Sequence, residues 1–138
     1  MKTTVSIISI VLGTLLSQAQ HVFDLNERIP LEWKDNVTVE ALTSDSLVSS
    51  FMIWIESGVA AHFHASHTEH VYIIEGHGKM QIGENEFEVH PGQLVFIPKG
   101  TVHSVEVTSD EAMKALSIQA PRFVGQDRVL IRPNQSSK

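Results

Sequence analysis

Gly58, Gly76, Gly78, Gly83, Gly92 and Gly100 cut the middle of this chain into pieces too short to support helices. The pieces are apolar or alternate between apolar and polar residues, which is the two-residue period of strands. Expected strands run Val37 to Leu42, Leu47 to Glu56, Ala60 to His64, Glu69 to Glu75, Gly78 to Ile82, Glu86 to His90, Gln93 to Ile97, Val102 to Val107 and Met113 to Gln119. No stretch of helical period competes with them. Gly83-Glu84-Asn85 lies between two alternating runs, where a hairpin turn belongs. Many short strands at close spacing predict an all-β sandwich or barrel, and 138 residues leave room for one such domain. We expect that barrel over residues 37–120, between an N-terminal extension at 20–36 and a C-terminal extension with a polar tail at 121–138.

The first nineteen residues stand apart from the barrel. Met1-Lys2 gives a positive start, Thr3 to Leu16 carries no charge, and Ser17-Gln18-Ala19 places small residues where a signal peptidase reads. The apolar run falls short of the roughly twenty residues that span a bilayer as a helix. A signal peptide over residues 1–19, cleaved after Ala19, is the expectation, with a secreted or periplasmic protein and no stable membrane insertion. The net charge of −6 offers no basic field for nucleic acid. Cysteine is absent, so any metal must be held by nitrogen and oxygen.

Those donors are concentrated in HFHASHTEH, residues 62 to 70. Side chains alternate along a strand, so His62 and His64 share one face and Phe63 takes the other. Glu69 opens the next strand with Val71 and Ile73 on its face, while His70 and Tyr72 look the opposite way. An isolated His-X-His pair has a plainer explanation as surface decoration.

A second stretch, GQLVFIPKGTVH from Gly92 to His103, adds a further histidine. With it the sequence resembles the cupin superfamily, whose two motifs run G-x5-H-x-H-x3–4-E-x6-G and G-x5-P-x-G-x2-H-x3-N. His62-x-His64, four residues, Glu69, six residues and Gly76 follow the first. Gly92, five residues, Pro98-x-Gly100, two residues and His103 follow the second. Two positions depart: Glu56 stands where the first glycine belongs, with Gly58 two residues later, and Val107 replaces the final asparagine. The resemblance covers roughly Ser50 to Gln119. It implies a double-stranded β-helix, or jelly-roll barrel, in which His62, His64, Glu69 and His103 bind one divalent transition metal ion.

Three imidazoles and a carboxylate suit Mn, Fe, Ni, Cu or Zn alike. Four protein ligands on a six-coordinate ion would leave two positions for water, oxygen or substrate. Because His103 comes from a different hairpin, the ion is expected to tie two sheets together. Imidazoles bind metal only when neutral, so occupancy is expected to fall as pH drops through about 6.

The other histidines and acids read as follows. His67 lies in the turn and is expected to be exposed, with a supporting hydrogen bond or direct ligation as alternatives. His21, His77 and His90 are expected in solvent, Trp33 and Trp54 in packing, and Tyr72 on the outer face. Glu56 and Glu106 are candidate acid–base groups with nothing to set them above surface carboxylates.

The resemblance implies a metal-dependent enzyme acting on a small organic molecule, of dioxygenase, isomerase, decarboxylase or lyase type. A non-catalytic module binding a metal and a sugar-like or other metabolite is the competing reading, favoured by the absence of an evident inward acid–base partner. A homodimer is expected from the same resemblance.

Overall fold

The computed structural model describes residues 21–131, so the expected signal peptide lies outside the described residues. The described residues form ten strands: β1 (Val37–Ser44), β2 (Ser49–Ile55), β3 (Gly58–His64), β4 (Thr68–Glu75), β5 (Gly78–Ile82), β6 (Asn85–Val89), β7 (Leu94–Ile97), β8 (His103–Val107), β9 (Met113–Ala120) and β10 (Arg128–Leu130). The nine strands expected from alternation are present with ends within two residues. β10 was not expected, because a three-residue strand is too short to show a period.

Two antiparallel five-stranded sheets result, ordered β1-β2-β9-β4-β7 and β10-β3-β8-β5-β6. Consecutive strands cross from one sheet to the other at every step except β1–β2 and β5–β6, winding the chain into a double-stranded β-helix. The inner faces meet in a core that includes Ile55, Ile73, Met80, Ile97, Val105 and Met113. Burying such side chains stabilises the fold by roughly 1.5–3 kcal/mol each.

Outer residues of β2 and β9 are buried as well. Met52, Trp54 and Lys114 alternate away from the core, yet they are at most 4% exposed. The N-terminal segment covers Trp54 and Lys114. Trp33 packs edge-on against Trp54 at 6.5 Å, and the Lys114 ammonium donates to the Asn26 carbonyl at 2.6 Å and to Glu75 at 3.0 Å. A segment that reads as an extension thus packs on the outer face of β2 and β9.

Backbone geometry explains two glycines. A Cβ on Gly58 would meet the Val105 carbonyl oxygen at 2.5 Å, so the close approach of β3 to β8 requires glycine two residues after the motif position. The β3–β8 register shifts between Val59 and His62, close to this contact. Gly76 has φ +77°, and a Cβ there would lie 2.8 Å from Met113 Cα. Gly92 has φ +89° with open space around it. Gly92→Ala is therefore expected to cost only the left-handed strain, about 1–3 kcal/mol. Gly76→Ala should cost clearly more, because the backbone of β9 must also shift. Chemical denaturation of both variants checks the ordering, and equal losses would show that the contact with Met113 is absorbed without cost.

Candidate metal centre

His62 and His64 on β3 and His103 on β8 project inward and bring their ring nitrogens within 4.8 Å of one another. Parity places the first two. Register places the third, since His62 sits directly opposite His103 and residues paired across strands share a face. Ring centroids are 4.2 Å apart for His62–His103, 5.3 Å for His62–His64 and 5.4 Å for His64–His103. The three imidazoles belong to one sheet, which corrects the expectation that His103 reaches across from the other. The crossing is made by Glu69 on β4, whose Oε2 lies 3.3 Å from His64 Nε2 and 3.4 Å from His103 Nε2.

The hydrogen bonds behind the cluster suit metal binding. His62 Nδ1 donates to the Ala60 carbonyl at 2.8 Å and His103 Nδ1 to the Thr101 carbonyl at 2.9 Å. A carbonyl can only accept, so in the neutral form of both rings the proton is on Nδ1 and Nε2 carries the lone pair. Glu69 Oε1 accepts from Ser117 Oγ at 2.5 Å and Gln119 Nε2 at 3.2 Å. Register puts Gln119 opposite Glu69 and therefore on the same inward face. Burial alone would raise the Glu69 carboxyl, but in the metal-free cluster the hydrogen bonds that His103 and His64 give when protonated, together with that of the Ser117 hydroxyl, outweigh it and hold the group well below the usual carboxylate range. Neutral imidazoles converging beside an ionised carboxylate form a donor set that fits a divalent transition ion.

His62 itself is pushed down to about 4, chiefly by desolvation, with the nearby His103 and Arg128 adding to the effect against the bond to Ala60. It keeps its lone pair well below pH 6, so His62 does not set the pH at which a metal is lost. The sign for stability follows: the unfolded chain takes up this proton first, so His62's contribution is lost as pH falls from about 6.5 towards 4. In metal-free protein the His62 ring resonances are expected to titrate near 4. An NMR midpoint at the ordinary 6.5 would contradict the burial argument.

His67 is buried at 3% exposure, against the expectation of an exposed turn residue. Its Nδ1 bonds to Asp127 Oδ2 and its Nε2 lies 3.1 Å from the Arg122 carbonyl. Burial would lower the His67 ring, but the Asp127 bond prevails and raises it above its ordinary value. Asp127 is correspondingly lowered: burial opposes ionisation, and the His67 bond overcomes it. Asp127 also accepts from the Ser66 amide at 2.8 Å and approaches His64 Nδ1 at 3.5 Å, the nitrogen that otherwise has no hydrogen-bond partner. Sequence reasoning missed Asp127, which lies about sixty residues from His67 in a segment without periodicity.

The remaining candidates lie elsewhere. His70 points outward beside Phe96, with ring centroids 5.1 Å apart. His21, His77, His90, Glu56 and Glu106 are exposed, so neither glutamate reaches the cluster as an acid or base. Trp33 and Trp54 pack against each other as expected, Trp33 with its other side in solvent, and Tyr72 lies on the outer face.

The cluster forms part of the wall of an internal cavity of about 210 Å³. The rest is mostly apolar and includes Val37, Phe51, Ile53, Val71 and Ile73. Phe123, held edge-on to Phe51 at 5.6 Å, and Arg128 also line it, and both come from the segment after β9.

Residues 52–119 match the Cupin domain family. The chain is 28% identical over 97 residues to an uncharacterized protein of Aquifex aeolicus, covering 70% of this chain and 79% of that one. It is 35% identical over 51 residues to quercetin 2,3-dioxygenase of Bacillus subtilis, covering 37% of this chain but only 15% of the dioxygenase. A double-stranded β-helix protein of Klebsiella pneumoniae superposes with TM-score 0.70 at 15% identity, over 83% of this chain and all of that one.

Proposed function

The chain belongs to the cupin superfamily, and from that premise we propose that it is a metal-dependent enzyme acting on a small organic molecule. His62, His64 and His103 would hold one divalent transition ion, with Glu69 as fourth ligand. The ion would supply Lewis acidity or, if redox-active, oxygen chemistry of dioxygenase type. The observation that carries this reading is the convergence of three buried imidazoles on one point in the wall of an apolar cavity.

The chain's own residues do the rest. The Ala60 and Thr101 carbonyls fix two imidazole tautomers, and Ser117 and Gln119 hold Glu69 ionised and aimed at His64 and His103. The apolar walls exclude water around a bound substrate and strengthen each polar contact made inside. Metal analysis of protein purified without chelators, then equilibrated separately with Mn, Fe, Ni, Cu and Zn, tests the reading. One equivalent of at least one ion is expected, and only trace uptake of all five ends it.

One observation favours a second reading, a non-catalytic module that binds metal and metabolite: neither candidate acid–base glutamate faces the cavity. Saturable ligand binding without turnover by the metal-loaded protein would select it. The apolar lining suits a metabolite with fewer hydroxyls than a sugar.

We also propose that the mature protein begins at Gln20 and works outside the cytoplasm, on the strength of the signal-like residues 1–19. Intact Met1 on protein from its own host, read by mass spectrometry, would reject this.

A further inference from the structure

Besides Ser104, two residues of the cavity wall offer a polar end that the metal cluster does not use. The first is Arg128. It pairs with His64 across β10 and β3, so its side chain takes the inward face beside that ligand. It lines the cavity yet is exposed to solvent, which puts it at the opening. It makes no ion pair among the described residues. The adjacent carboxylate, Asp127, is turned to His67 and Ser66 instead.

The second is the Gln119 amide. Its Nε2 donates to the Glu69 carboxylate and lies 3.4 Å from Ser117 Oγ. An ionised carboxylate only accepts, so the nitrogen end must face it and the oxygen end must point away. Gln119 is 7% exposed and lines the cavity, and its Oε1 is buried without a partner among the described residues. Buried acceptors are rarely left this way, and a ligand donor would satisfy it. The two groups lie at one level of the barrel: Arg128 neighbours His64, His64 approaches Glu69, and Glu69 neighbours Gln119.

Ser104 apart, the remaining wall is apolar, and the volume is below the roughly 300–1,000 Å³ of drug-sized sites. A polyol would leave most of its hydroxyls unpaired there, at a cost in desolvation. We propose that the cavity selects a small carboxylic acid with an apolar body and a free hydroxyl. Its carboxylate is set by the Arg128 guanidinium and its hydroxyl donates to Gln119 Oε1. This rests on the reading of the cavity as the substrate site but does not require the metal.

Calorimetric titration of the full chain, metal-free and metal-loaded, tests it with four probes. Mandelate carries all three features, mandelamide lacks the charge, phenylacetate lacks the hydroxyl, and gluconate lacks the apolar body. Mandelate is expected to bind about tenfold tighter than mandelamide, because a guanidinium–carboxylate contact is charge-assisted. It should bind about fivefold tighter than phenylacetate, which leaves the Gln119 acceptor unpaired. Gluconate should bind more weakly than any of them. Arg128→Gln should abolish the discrimination against mandelamide while Arg128→Lys keeps most of it, and Gln119→Leu should abolish the discrimination against phenylacetate.

Wild-type preferences below about half of these, no measurable mandelate binding in either form, or gluconate binding as tightly as mandelate would overturn the proposal. So would an Arg128→Gln protein, folded by circular dichroism, that still discriminates against mandelamide. If a glutamine variant fails to fold, the wild-type probe ratios decide alone. Preferences that persist in a protein unable to take up metal would sink the metal reading and spare this one. Flat preferences in a protein that holds a full equivalent would do the reverse.

Discussion

Replacing His103 by Ala is expected to strip the protein of its metal, with affinity falling by at least about 100-fold, whereas His70→Ala should leave metal content unchanged. The two histidines differ in face. His103 stands directly opposite His62, its ring 4.2 Å from that ring and its Nε2 free. His70 follows Glu69 in the chain and therefore points out of the barrel, where it packs on Phe96. Metal analysis of both variants, each shown to be folded, makes the comparison. Retention of a full equivalent by His103→Ala together with its loss from His70→Ala would overturn the face assignment and the site built on it. Wild-type protein should also melt higher with metal than without, since a ligand that binds only the folded state adds about 4 kcal/mol at a thousand times its Kd. The ion would join β3 to β8 within one sheet, and Glu69 would join both to the other.

Asp127→Ala should be strongly destabilising although it lies outside the cluster. The Asp127 and His67 side chains are 2% and 3% exposed, and removing the carboxylate leaves a buried imidazole and the Ser66 amide without their acceptor. Breaking such a pair costs about 3 kcal/mol, which at roughly 4–8 °C per kcal/mol lowers Tm by more than about 10 °C. The pH dependence has a definite sign. His67 is raised, so its contribution is complete below the ordinary 6.5 and is lost as pH rises through its folded value. Asp127 is lowered, so its contribution is present above the ordinary 3.8 and is lost as pH falls through its folded value. The deficit of the variant should therefore be greatest between about pH 4 and 6.5 and shrink in alkali. Thermal melts of wild type and variant across that range check it. A deficit that is independent of pH would show that the pair stabilises by packing alone.

The strand content, the glycine turns and the inward direction of His62, His64 and Glu69 are local properties. Alternation along an extended backbone sets them, so the residues within a few positions on either side suffice to read them. The spacing from Gly92 to His103 carried the fourth residue through its resemblance to a known motif. What lies opposite His103 is a different kind of fact, because it depends on the order in which strands join a sheet. Only the tertiary structure placed His103 beside His62 in one sheet and left Glu69 to span the gap. The same holds for His67, whose turn position reads as exposed until Asp127 arrives from beyond β9 and buries it. Residues 21–36 read as an extension of the barrel because their apolar side chains follow no period, yet they pack on Trp54 and Lys114. Periodicity reports which face a residue takes. Which partner covers that face is decided by packing between segments far apart in the chain, and no local pattern encodes it.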